Sequence, residues 1–85
     1  MDKPHGKYNV RVTVLEGFQT SAGKWVGHWE VFDTELGPDA LAIGSGETTP
    51  AATFELASNI GFAEGLLFAE RREGRGEVTN YRDFD

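Results

Sequence analysis

His28 and Glu30 flank Trp29 in a stretch of alternating residues, and this is where the chain comes nearest to a catalytic pair. On a strand, residues two apart share a face about 7 Å from each other. A histidine and a carboxylate so placed can exchange protons or contribute to a metal site. A zinc deaminase reading of His-x-Glu fails, because that signature also needs cysteines and the chain has none. The other histidine, His5, lies in a different stretch. The alternative is a solvated strand face with Glu30 near Arg11 and Thr13 on a neighbouring strand.

Trp25, Gly27 and Trp29 fall on the opposite face, with Gly27 leaving a gap between two indoles. That gap is either a stacking slot for a flat ligand or part of a core that the rest of the chain fills. Gly44-Ser45-Gly46 lacks the Lys-Ser/Thr that a phosphate-binding P-loop needs, and it reads as a flexible connection. Ser21, Ser45 and Ser58 have no base nearby in sequence, so no catalytic residue, cofactor or metal ligand is assigned.

The elements that position these residues follow from periodicity. Tyr8 to Gln19 alternates as a strand, with Tyr8, Val10, Val12 and Val14 on one face and Asn9, Arg11 and Thr13 on the other. Thr20 to Gly23 reads as a four-residue hairpin loop with Gly23 in a left-handed conformation, and Lys24 to Thr34 as the return strand. That loop sets Phe18 against Trp25, Val14 against Trp29 and Val12 against Val31. Leu36 to Asp39 is a turn, and Ala40 to Ser45 a short third strand with Leu41 and Ile43 pointing inward.

Thr49-Pro50 predicts the start of a long helix, which the charges of Arg71-Arg72 and the following Gly74 predict to stop. At about 100° per residue this helix is apolar on two sides. Ala52, Leu56, Ile60, Ala63 and Leu67 form one stripe, expected to pack with Val12, Val14, Trp29 and Val31. Phe54, Ala57, Gly61, Gly65, Phe68 and Ala69 form the other. A glycine inside a helix costs about 1 kcal/mol against alanine, so Gly61 and Gly65 call for a close neighbour. Either the helix sits tightly on its own sheet there, or two copies of the chain meet along a helix–helix seam.

The expected architecture is therefore α+β: a three-stranded antiparallel meander with one C-terminal helix, β-β-β-α, over residues 1–72. Residues 73–85 are polar and read as a disordered tail. The order is similar in topology to the core of double-stranded-RNA-binding domains and to the sheet of small antitoxin domains. No motif of either is present, and the helix begins Thr49-Pro50-Ala51-Ala52 where the RNA-binding family has a basic cluster.

With 85 residues there is one small core. A net charge of −6 speaks against a nucleic-acid binder, which needs a basic footprint. Glu55 and Glu64 speak against a membrane span, and Met1 to Lys7 carries no apolar run of a signal peptide. Cysteine-free composition fits the cytoplasm. The expectation is a cytoplasmic, non-enzymatic interaction module acting as a homodimer, with a small-molecule binder at Trp25, Gly27 and Trp29 as the alternative.

Overall fold

Tyr8, Val10 and Val12 are buried and alternate with exposed Arg11, Thr13 and Leu15, as a strand with one face on a core requires. The computed structural model describes the backbone of residues 1–19 and 22–82 and, within these, side chains up to Glu73. This strand, β2 (Tyr8–Glu16), pairs antiparallel with β3 (Trp25–Asp33). The register sets Val10 against Val31, Val12 against Trp29 and Val14 against Gly27. It differs from the expected register by two residues, one full pleat period, so every side chain keeps its expected face.

The shift comes from the loop. Glu16 is the last ladder residue opposite Trp25, and the Gly17 amide still donates to the Lys24 carbonyl at 2.8 Å. Phe18 consequently lies in the connection, 78% exposed, and not against Trp25. Gly23 is left-handed (φ 80°) as expected, while Thr20 and Ser21 lie outside the described residues.

Two further strands complete an antiparallel sheet of order β1-β2-β3-β4, one strand more than the sequence predicts. The addition is β1 (Asp2–His5), joined to β2 through Gly6-Lys7, where Gly6 supplies a positive φ of 59°. The Met1 carbonyl accepts the Val12 amide at 2.8 Å. By alternation, Lys3 and His5 also turn their backbone groups toward β2, and Asp2 and Pro4 turn theirs outward. On the other side, β4 (Gly44–Glu47) pairs with β3 and starts later than the expected Ala40. Leu41, expected inward, is 87% exposed in the connection; Ile43 does pack against the core.

The one α-helix among the described residues, α1 (Phe54–Arg82), begins after Thr53, whose hydroxyl accepts the Leu56 amide at 3.0 Å. Thr49-Pro50 is not its cap. Ala51 is still extended there, exchanging two 2.8 Å backbone bonds with Trp25. The helix runs past the stop expected at Arg71-Arg72, through Gly74, to Arg82; residues 83–85 of the expected tail lie outside the described residues.

The two apolar stripes of the helix exchange their expected roles. Ala57, Gly61, Gly65 and Ala69 are buried against the chain's own sheet. A Cβ on Gly61 would stand 3.0 Å from the Val12 side chain, and one on Gly65 2.5 Å from that of Val10. Small residues thus let the helix backbone settle onto a valine row. Leu56 and Leu67, expected in the core, are 46% and 45% exposed. The core is instead built from Tyr8, Val10, Val12, Val31, Phe62 and Ala69, with Val14, Trp29, Ile43, Leu66 and Phe68 around it.

Candidate interaction surface

Of the residues singled out for chemistry, His28 and Glu30 do share the face of the sheet away from the helix. Their partners lie across the ladder. His28 Nδ1 stands 3.3 Å from a carboxylate oxygen of Glu47 on β4, and Glu30 faces Arg11 on β2. Arg11 itself bonds Asp2 at 3.0 Å and lies 4.9 Å over the Phe32 ring. That hydrogen bond holds the Asp2 carboxyl below the usual carboxylate range. Among the described residues, no three His, Asp or Glu side chains come together as a metal ion would need. The arrangement is a row of polar and charged side chains open to solvent, with Arg11 and Asp2 ion-paired across strands.

Trp25, Gly27 and Trp29 share the helix side of β3, and the helix itself occupies the gap between the indoles. A Cβ on Gly27 would come within 2.6 Å of the Ala57 carbonyl oxygen. Trp25 meets Phe54 edge-on with ring centroids 5.6 Å apart. Trp29 lies tilted against Phe68 at 5.8 Å and donates its indole N–H to Glu64 at 3.0 Å. Leu56 and Leu67, expected over these indoles, are replaced there by Phe54 and Phe68, because those two lie on the sheet-facing side of α1.

The expected seam residues are therefore divided. Ala57, Gly61, Gly65 and Ala69 lie beneath the helix, while Phe54 and Phe68 bracket them as packing partners of the two tryptophans. What the helix turns outward is Leu56, Ile60, Ala63 and Leu67.

The sequence predicts a third strand ending at Ser45 and reads Gly44-Ser45-Gly46 as a flexible connection; these residues instead belong to β4 and position aromatic rings. Gly44 and Gly46 pair with Val31 and Trp29, and both face the helix. A Cβ on Gly46 would sit 2.7 Å from the Trp29 indole, and one on Gly44 would run into the Phe68 ring. Glycine at alternate positions marks a strand crossed by aromatic rings, and that period of two was the available signal. Beside β4, on the helix side, a cleft of about 260 Å3 is lined by Trp29, Glu64, Leu67, Phe68 and Arg71. On the other side of the sheet, a cleft of about 280 Å3 is lined in part by His28, Glu30, Ser45 and Glu47.

No protein family, curated protein or solved structure matches the chain at a significant level. Among the described residues, no helix is long and apolar enough to cross a membrane.

Proposed function

We propose that the chain is a non-enzymatic interaction module that works as a homodimer through the outward apolar face of α1. The observation that carries this reading is the exposure of Leu56 and Leu67, nearly half of each in contact with water. With Ile60 and Ala63 they form a row spaced four, three and four residues apart, the spacing at which two helices interlock. The helix buries one apolar face on its own sheet, and among the described residues there is no second α-helix to cover the other.

An antiparallel pairing about the midpoint between Ile60 and Ala63 sets Leu56 against the partner's Leu67, as a two-fold axis requires. The large residues then meet each other at both ends, with Ile60 against alanine in the middle.

Sedimentation equilibrium on the intact chain tests this. A dimer in the micromolar range is expected, and Leu56→Glu should convert it to a folded monomer with unchanged circular dichroism. A wild-type chain that stays monomeric at high micromolar concentration overturns the reading, as does a dimer indifferent to Leu56→Glu.

A further inference from the structure

We infer that the free edge of β4 takes an extended peptide in which basic and apolar residues alternate. This extends the interaction-module reading to a neighbouring surface, which meets the proposed dimer face at Leu67.

The sheet has two edges, and they differ. At β1 the outward backbone positions are Asp2 and Pro4. Proline has no N–H to offer, so this short edge is closed to strand addition. At β4 the pattern is reversed. Thr48 donates to Gly27, so by alternation Gly46 and Gly44 turn their backbone groups inward to β3, and Ile43, donating to Val31 beside Gly44, marks a bulge where the strand begins. Ser45 and Glu47 turn theirs outward, each with one N–H and one C=O available to an added strand.

Side-chain recognition follows from the pleat. A residue opposite Gly46 on an added strand points to the helix side, where the cleft of Trp29, Leu67 and Phe68 receives an apolar side chain. The Trp29 and Phe68 rings lie directly over the glycines of β4, so the cleft they line borders the free edge. Residues opposite Ser45 and Glu47 point to the other face, beside the carboxylates of Glu30 and Glu47.

Charge selects the occupant. Glu30, Glu47 and Glu64 line the two clefts, against Arg71 and a His28 already engaged with Glu47. A second copy of this chain, itself carrying −6, would bring three more carboxylates to the same edge. A peptide with lysine or arginine at alternate positions brings the opposite sign.

The test uses a short synthetic peptide alternating lysine and valine, added to the full chain carrying Trp25→Phe so that Trp29 alone emits. Saturable change in Trp29 emission is expected, with slowed amide exchange at Ser45 and Glu47. Glu30→Lys with Glu47→Lys should weaken binding by about tenfold or more, and added salt should weaken it further. Methylating alternate backbone nitrogens of the peptide, those that would face β4, should abolish binding without touching the protein. Equal binding of the methylated peptide, or of one alternating glutamate and valine, overturns the proposal. So does the absence of saturation at millimolar peptide. Protection of Ser45 and Glu47 in a peptide-free dimer also overturns it, by giving the edge to a second copy. Loss of the dimer through Leu56→Glu with peptide binding retained separates this inference from the preceding one.

Discussion

The Thr48 hydroxyl accepts the buried Gly27 amide at 2.9 Å, taking the place of the carbonyl that a regular ladder would have used. The Thr48 amide still donates to the Gly27 carbonyl at 2.8 Å, and its hydroxyl donates to the Thr49 carbonyl at 2.9 Å. From here to the Trp25–Ala51 bridge, the β4 side uses one residue more than β3, which makes a bulge. The bulge steers the chain off the edge toward the start of α1.

Thr48→Val keeps the shape of this side chain and removes the acceptor. Leaving a buried amide unsatisfied costs about 1–3 kcal/mol. Chemical denaturation should therefore show a loss in that range for valine and a smaller one for Thr48→Ser, which retains the hydroxyl. Equal stabilities for wild type and Thr48→Val would show that the hydroxyl contributes nothing.

Gly27→Ala probes the opposite side of the same contact. Its new methyl would meet the Ala57 backbone oxygen at 2.6 Å, and backbone yields less readily than a side chain. Overpacking of this kind costs roughly 1–3 kcal/mol. The expected outcome is a lowered denaturation midpoint with altered Trp25 and Trp29 emission; an unchanged midpoint would mean that the helix moves away freely.

The exchanged stripes of α1 make a paired prediction. Phe62 is buried, and Phe62→Ala should cost about 3–5 kcal/mol, a large share of the stability of a small domain. Leu56→Ala, measured at concentrations where the chain sediments as a monomer, should cost about 1 kcal/mol or less. A reversed ranking would restore Leu56 to the core.

Asp2 supplies a pH test. Its carboxyl is held low chiefly by the Arg11 hydrogen bond, so the pair adds stability above the ordinary carboxylate pKa of about 3.9. That increment is lost as pH falls through the lowered folded value. Both side chains are half exposed, which limits it to under about 1 kcal/mol. Arg11→Met should raise the Asp2 pKa in a carboxyl-carbon NMR titration, and an unmoved titration would remove Arg11 as the cause.

The face of every β2 and β3 residue was legible, because alternation survives a register error of two. Loop length was not: Phe18 has strand-forming chemistry, and only the Gly17–Lys24 bond decides that it lies outside the ladder. The strand at Asp2–His5 was hidden by its polarity and by Pro4, residues that edges tolerate and propensity scales penalise. The helix had two apolar stripes in the sequence, and size misled: leucines look like core, yet a close-packed valine row selects glycine and alanine. Thr49-Pro50 carried the start signal in the sequence, which could not show Ala51 still bonded to Trp25 and the cap delayed to Thr53.

Gly61 and Gly65 also bear on how this domain comes apart. Two glycines mid-helix subtract about 2 kcal/mol together from the tendency of α1 to form in isolation, so the segment is a poor helix until a paired sheet lies beneath it. The sheet in turn leaves Val10, Val12 and Val31 in water until that helix arrives. Each layer is the other's condition for existing, so the expected melting is a single cooperative event with no half-folded species that keeps the helix.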